Sequence, residues 1–206
     1  MHKNSHSKME WFKRTYLNVD DNLKILDVGS LDNKGNYNYS DIFKEKNWNY
    51  TGLDIEDGHN VDIVITDIYN WFEIEDNSYD VVISGQFFEH LEFFWLTMSE
   101  IERVLRPGGY VCIIAPSAGP KHGGNLNNCY KFYEDGLKAM AKYVDLEVLH
   151  ASVDNRKEAN PWNDACLVAH KSDNSVSLEK TKQLEDRIDN LEDKLDSILD
   201  AIQKNK

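Results

Sequence analysis

Short apolar runs separated by polar stretches form the main pattern in the first four fifths of the chain. They have the length of buried strands and lie at 25–28, 50–53, 61–65, 81–84 and 110–115. Between the last two runs, apolar residues recur at steps of three and four. This spacing predicts an amphipathic helix over 91–105 that ends at the sequence PGG of residues 107–109. Strands that alternate with helices indicate an α/β fold with a parallel sheet covered by helices on both faces.

Three further segments complete the expected domain. Residues 8–18 contain Met9, Trp11 and Phe12, which predicts a helix that packs at the edge of the domain. Two more apolar runs, at 146–151 and 165–170, predict an antiparallel hairpin that closes the sheet. The domain is therefore expected to span residues 1–172.

The end of the chain has a different pattern. Residues 173–177 are rich in Ser, Asp and Asn, which indicates a linker before a helical segment at 178–203. Apolar residues in that segment step alternately by four and three, as in coiled-coil heptads: Leu184, Ile188, Leu191, Leu195, Ile198 and Ile202. We expect a parallel coiled coil that makes the protein a homo-oligomer. The alternative is a single amphipathic helix that folds back on the domain.

The amino-acid composition limits which binding partners and which cellular compartment are expected. The formal net charge of −13 argues against a nucleic-acid backbone or an anionic membrane as the main partner. No window is apolar and long enough to span a bilayer, and the first residues lack the apolar core of a signal peptide. Three widely spaced cysteines, Cys112, Cys129 and Cys166, indicate reduced thiols and a cytoplasmic location. No His, Cys or Asp cluster has the spacing of a metal site, so no metal is predicted.

Two of the predicted strands end in an acidic residue. The sequence LKILDVGS at 23–30 ends an apolar run with Asp27 and a glycine turn, and YTGLD at 50–54 ends with Asp54. Such a pair suits a nucleoside ligand, because the turn lets backbone N–H groups approach and the second acid can accept hydrogen bonds from ribose hydroxyls. A nicotinamide dehydrogenase would need the series GxGxxG after the first strand, and that series is absent.

Further motifs follow in a fixed order along the chain: Asp27-Val28-Gly29, Asp54, Asp67, Glu89-His90 and the sequence LRPGG at 105–109. Over residues 20–170 this series resembles the class I S-adenosylmethionine-dependent methyltransferases. The resemblance implies a Rossmann-like sheet of seven strands and S-adenosylmethionine as cofactor. The turn after the first strand departs from the family pattern, because Leu31 and Asn33 replace two expected glycines and Gly35 comes late.

The resemblance also implies which residues contact the cofactor. The set comprises Asp27, Gly29, Ser30, Asp54, Ile55, Asp67, Ile68, Ser84 and Gln86. In this family the acid at the end of the second strand binds the ribose, which assigns that role to Asp54. Asp67 corresponds to the acid near the adenine amino group, and Ile55 and Ile68 could sandwich the base. Ser84 and Gln86 end the fourth strand, where the methionine part of the cofactor lies.

The acceptor side offers two candidate bases, His90 and His122, near the expected carboxyl edge of the sheet. A packing or capping role for His90 and a solvated loop position for His122 are the alternatives. The sequence NNCYKFYEDG at 127–136 is similar to a loop, often Asp-Cys-Trp-Arg-Phe, in bacterial methyltransferases encoded with cell-surface glycan genes. Asn128 stands where that loop has an acid. The aromatic residues that follow could stack on a sugar ring or belong to the core: Tyr130, Phe132 and Tyr133.

These patterns predict S-adenosylmethionine-dependent methylation of a hydroxyl on a sugar, a glycan or a small polar metabolite. The same fold could instead methylate nitrogen or carbon of another acceptor. A third hypothesis is a cofactor-binding subunit of low activity that assembles through its coiled coil, and the altered glycine turn keeps that hypothesis open.

Overall fold

The computed structural model describes residues 3–32, 38–122, 127–154 and 161–173, and four separate positions: Arg187, Ile188, Leu191 and Lys194. Two compact units make up the chain, residues 1–171 and residues 172–206. All strands and helices named below belong to the first unit.

The described part of the first unit forms a mixed sheet of seven strands in the order β3-β2-β1-β4-β5-β7-β6. The strands are β1 Lys24–Val28, β2 Asn49–Asp54, β3 Ile63–Val64, β4 Tyr79–Gly85, β5 Leu105–Pro116, β6 Glu147–Val153 and β7 Asp164–His170. Strands β1 to β5 pair in parallel, and β7 lies antiparallel between β5 and β6. The predicted α/β sheet and its closing antiparallel hairpin are therefore confirmed.

Helices cover both faces of this sheet. One face packs against α2 (Phe94–Val104) and α3 (Glu134–Tyr143), and the other packs against α1 (Lys3–Tyr16) and the segment before β2. Alternate residues of β5 point to opposite faces of the sheet. Ile113 packs in the core beneath α2 and α3, Cys112 packs in the core beneath α1, and both are fully buried. Burial on both faces explains why the central strands are continuous apolar runs in the sequence.

Several boundaries differ from the prediction. Helix α1 begins earlier, at Lys3, and α2 begins later, at Phe94, because Phe88–His90 form a short 3-10 helix after which Leu91 is extended. Strand β5 begins at Leu105 and includes the sequence PGG, which the prediction gave only as the end of the preceding helix. Long-range pairing explains this: the N–H of Gly108 donates to the carbonyl of Lys171 at 2.8 Å.

The predicted coiled coil at 178–203 lies largely outside the described residues. Its four described positions are helical, and the apolar side chains of Ile188 and Leu191 are 54% and 62% exposed. The coiled coil and the linker before it stay predictions. Among the described residues, no helix has both the length and the apolar character that crossing a bilayer requires.

Candidate active site

The predicted cofactor residues gather at one edge of the sheet. Asp27 and Gly29 lie at the carboxyl end of β1, Asp54 and Ile55 at that of β2, and Gln86 just beyond β4. These three strands are neighbours and run in parallel, so their carboxyl ends meet at the same edge. Strand order reverses between β1 and β4, and open α/β sheets bind their ligands at such a point.

Asp54 holds the turn after β1. Its carboxylate is 8% exposed and accepts hydrogen bonds from the N–H of Leu31 at 3.0 Å and from the N–H of Ile55 at 2.8 Å. The N–H of Asp32 then donates to the carbonyl of His59 at 3.1 Å. These bonds give the glycine-poor turn a defined path as far as Asp32. Asn33 and Gly35 lie outside the described residues.

Asp27 is a buried acid with one strong partner. The hydroxyl of Tyr50 donates to its Oδ2 at 2.5 Å, and the amide of Asn60 donates to the Tyr50 hydroxyl at 3.0 Å. Burial raises the pKa of Asp27 to about 7, the Tyr50 hydrogen bond lowers it, and the charge of Asp54 raises it. Asp27 therefore changes its charge near neutral pH.

Gly29 adopts a left-handed conformation with φ of 79°. A Cβ at this position would lie 2.4 Å from Cγ of Phe87, so the turn also needs glycine to fit the Phe87 ring. The hydroxyl of Ser30 donates to the carbonyl of Asn60 at 2.8 Å, and that of the fully buried Ser84 donates to the carbonyl of Val28 at 2.7 Å. Both hydroxyls are engaged within the fold, and a cofactor contact for either residue stays a prediction.

The expected adenine side is more open. Asp67 is exposed, and its Oδ1 accepts the N–H of Tyr69 at 2.8 Å. Ile55 is 51% exposed, whereas Ile68 is partly buried against the core. Because β2 and β3 are neighbours, residues that follow them lie at the same edge. An exposed apolar side chain and an accessible carboxylate suit an adenine ring and its amino group.

Helix α1 reaches the part of this edge where the methionine end of the cofactor is expected, and the sequence did not predict this contact. Asn4 donates to Oδ2 of the buried Asp164 at 3.0 Å, and Gln86 donates to Oδ1 of the same residue at 3.1 Å. The hydroxyls of Ser5 and Tyr39 hydrogen bond at 2.7 Å. Local patterns cannot reveal these contacts, because Asn4 and Asp164 are 160 positions apart.

The two candidate bases converge on one acid. His90 Nε2 lies 3.6 Å and His122 Nε2 lies 3.7 Å from Oε1 of Glu89. The Glu89 side chain is fully buried, whereas those of His90 and His122 are 15% and 30% exposed. Sequence reasoning named all three residues but not their convergence, because the fold brings the loop after β5 back over the 3-10 helix.

Hydrogen bonds fix the positions of both histidines. Nδ1 of His90 bonds to the carbonyl of Asn127 at 2.5 Å. Oδ1 of Asn128 accepts the N–H of His122 at 3.1 Å, and Nδ2 donates to the His122 carbonyl at 2.7 Å. A carboxylate at position 128 could not donate to that carbonyl. Asn128 can therefore bind both the N–H and the carbonyl of His122, which an aspartate at this position could not do.

Aromatic residues line the same region. The rings of His122 and Trp162 have centroids 4.6 Å apart, and Nζ of Lys131 lies 5.3 Å from the Trp162 ring centroid. Phe132 is 4% exposed and belongs to the core, as one of its two sequence interpretations held. Tyr130 donates to the carbonyl of Glu92 at 2.8 Å.

Comparison with known proteins agrees with this geometry. Residues 26–113 match a protein family described as a methyltransferase domain. No curated protein matches the chain. An S-adenosylmethionine-dependent methyltransferase from Methanosarcina mazei is 16% identical with a TM-score of 0.58, and the match covers 78% of this chain and 96% of that chain.

Two further solved structures have a similar fold. The 1,6-didemethyltoxoflavin-N1-methyltransferase of Burkholderia thailandensis, solved with 1,6-didemethyltoxoflavin and S-adenosylhomocysteine, is 14% identical with a TM-score of 0.61. That match covers 83% of this chain and 78% of that chain. An S-adenosylmethionine-dependent methyltransferase from Aquifex aeolicus is 14% identical with a TM-score of 0.54, and the match covers 83% and 99% of the two chains.

The match over residues 26–113 indicates a methyltransferase domain, and the fold of the chain is the one found in solved S-adenosylmethionine-dependent methyltransferases. The cofactor that these findings indicate is S-adenosyl-L-methionine. Residues at the edge of the sheet fit this cofactor: a glycine turn follows β1, Asp54 ends β2, and an exposed Ile55 follows it.

Proposed function

We propose that the chain methylates a hydroxyl group of a sugar, a glycan or a small polar metabolite. The observation that carries this proposal is the pair of imidazoles beside one buried carboxylate, with His90 and His122 at 3.6 and 3.7 Å from Glu89. A neutral hydroxyl is a weak nucleophile and has to lose its proton during transfer. An imidazole oriented by a carboxylate is a group that can accept this proton.

The bound cofactor supplies a methyl carbon attached to a positively charged sulfur, so that the acceptor oxygen forms a C–O bond while the C–S bond breaks. His122 accepts the hydroxyl proton on a ring nitrogen. Glu89 stabilises the resulting imidazolium, because its buried carboxylate is poorly screened by water. Asn128 holds the backbone of His122 through both atoms of its side-chain amide. His90 is the second candidate base.

The ammonium group of Lys131 supports an acceptor that carries negative charge. Its Nζ is buried and makes no hydrogen bond to any residue that the structure describes. It lies over the ring of Trp162, which packs against His122. A buried ammonium is unfavourable without a counter-charge. The phosphate of a nucleotide sugar or the carboxylate of an acidic sugar would provide one.

We propose that Gly29, Asp54 and Asp67 contact the cofactor. Calorimetry with S-adenosylhomocysteine tests this, and we expect Asp54→Ala to weaken binding by roughly 1–3 kcal/mol, the scale of a lost pair of charge-assisted hydrogen bonds. The exposed Asp57 on the loop after β2 provides the matched control, Asp57→Ala. Equal affinity of wild type and Asp54→Ala would exclude this position for the ribose.

A methyl-transfer assay against nucleotide sugars, glycans and amines tests the reaction itself. We expect transfer to hydroxyl acceptors, and His122→Ala should lower kcat by about 10²–10⁴-fold. His170, which lies 3.9 Å from Glu147 at the opposite edge of the sheet, is a matched histidine–glutamate pair for the control variant His170→Ala. Methylation of amines alone would favour the nitrogen alternative. Cofactor binding without turnover on any acceptor would favour the low-activity subunit.

We also propose that residues 178–203 join copies of the chain through a coiled coil. The exposed apolar side chains of Ile188 and Leu191 support this, because both fall on the heptad seam. On this proposal the segment assembles the enzyme and takes no part in the chemistry.

A further inference from the structure

We infer that Glu89, His90 and His122 form a binding site for a divalent transition-metal ion at the acceptor end of the cofactor edge. One carboxylate oxygen and two imidazole nitrogens, one ligand atom from each residue, lie within 4.8 Å of one another. The two contacts to Glu89 Oε1, 3.6 and 3.7 Å, exceed hydrogen-bond length. They approach the spacing of about 3.4 Å that a tetrahedral ion with bonds of about 2.1 Å imposes on its ligand atoms.

The hydrogen bond of His90 determines which of its nitrogens faces Glu89. The carbonyl of Asn127 can only accept, so Nδ1 of His90 is the donor in their bond. In the neutral ring Nε2 then carries a lone pair, and this lone pair faces the carboxylate oxygen of Glu89. Two electron-pair donors face each other favourably only when a positive charge, a proton or a metal ion, lies between them, and the distance of 3.6 Å is too long for a hydrogen bond through a proton. A metal ion provides that charge and binds both atoms.

The surroundings of the group resemble those of metal ligands in proteins. A metal-bound histidine usually donates its other ring N–H to a carbonyl or carboxylate, which fixes the tautomer and the ring orientation. The bond from His90 to Asn127 is of this kind. The carbonyl of Glu89 accepts the N–H of Cys129 at 2.8 Å, and Asn128 clamps the backbone of His122. One loop thus fixes all three residues.

Burial and ligand type select the ion. Glu89 is fully buried at the base of the group, while the partly exposed His90 and His122 leave a path from solvent. Two imidazoles with one carboxylate favour first-row transition ions such as Zn²⁺ over Mg²⁺ or Ca²⁺, which prefer oxygen ligands. Three protein ligands leave a coordination position open, as in catalytic zinc sites.

The open position gives the ion a role at the acceptor, and this role rests on the proposed function. A hydroxyl bound to a divalent ion has a lowered pKa and releases its proton to solvent more readily. The oxygen then forms the C–O bond as the C–S bond of the donor breaks. With the ion bound, His122 acts as a ligand, and the ion replaces it in activating the hydroxyl.

Calorimetry with Zn²⁺ on the full-length protein, freed of metal by a chelator, tests the site without any assay of activity. We expect one tight site in wild type that Glu89→Gln and His122→Asn each weaken by at least about 100-fold, since loss of even an outer partner costs about 10–100-fold. His170→Asn is the matched control and should bind like wild type. Binding of S-adenosylhomocysteine by each variant shows that the fold is intact.

Three results would overturn the metal site: no tight Zn²⁺ binding, equal affinity in all variants, or Mg²⁺ binding as tight as Zn²⁺. An assay of methyl transfer distinguishes failure of the metal site from failure of the proposed function. We expect the chelated enzyme to lose turnover on hydroxyl acceptors and to regain it with Zn²⁺. Full turnover without metal would overturn the role of the ion and leave the proposed function standing. A tight Zn²⁺ site with no hydroxyl methylation would keep the site and refute the proposed function.

Discussion

Replacing Asp27 by asparagine tests whether ionisation of the buried Asp27 carboxyl group destabilises the folded protein. Burial raises its pKa to about 7 in the folded protein, whereas an unfolded chain has an aspartate pKa of about 3.9. Well below pH 4 both states are protonated and Asp27 has no ionisation penalty. As pH rises from 4 to 7 the unfolded chain releases its proton first, which favours unfolding, and above pH 7 the destabilisation is complete.

The size of the effect follows from these two pKa values. Proton linkage gives a destabilisation of about 1–2 kcal/mol at pH 5 and about 4 kcal/mol at pH 8. The substituted side-chain amide cannot ionise and still offers an oxygen to the Tyr50 hydroxyl, which donates to Asp27 at 2.5 Å. The advantage of Asp27→Asn over wild type in free energy of unfolding should therefore grow by about 2–3 kcal/mol between pH 5 and pH 8.

Urea denaturation of both proteins at pH 5 and pH 8, without cofactor, measures this difference. Any constant effect of the amide on packing cancels between the two pH values. The exposed Asp20, replaced by asparagine, controls for the loss of one negative charge from a chain with net charge −13. A difference between Asp27→Asn and wild type that stays constant or shrinks as pH rises would refute the reasoning.

Three further changes test other parts of the molecule. Asn128→Asp removes the amide that binds the His122 carbonyl at 2.7 Å, so kcat should fall while calorimetry shows unchanged S-adenosylhomocysteine affinity. Gly85→Ala would place a carbon 1.9 Å from the Tyr39 hydroxyl oxygen, and thermal denaturation should show a loss of roughly 1–3 kcal/mol. An unchanged melting temperature would contradict that clash. Deleting residues 176–206 should lower the mass seen by light scattering and leave cofactor affinity nearly unchanged, whereas a monomeric full-length protein would contradict the coiled coil.

The sequence predicts the central strands well because they are buried on both faces. Strand β1 begins at Lys24 and β4 at Tyr79, within two residues of the predicted starts. The early start of β5 at Leu105 was missed, because the sequence PGG has the local character of a turn. Its pairing with Lys171 comes from a distant part of the chain, and a sequence window cannot contain it.

Some residues of the candidate site could likewise be placed from the sequence, and others could not. Acids at the ends of parallel strands, such as Asp27 and Asp54, could be placed from the sequence because the topology alone brings strand ends together. The convergence of His122 on Glu89 depends on the position of His122 after β5, which the side-chain hydrogen bonds of Asn128 hold. No periodicity encodes such a position.

The contact between helix α1 and the end of the sheet has a consequence for biosynthesis. Asn4 donates to both Asp154 and Asp164, which lie 150 and 160 positions further along the chain. A ribosome has therefore made almost the whole domain before the first helix meets Asp154 and Asp164 at the edge of the sheet. The nascent chain keeps this edge incomplete until β7 emerges, and such distant pairings are slow to form. We therefore expect cofactor binding only after β7 has been synthesised and has paired with the rest of the domain.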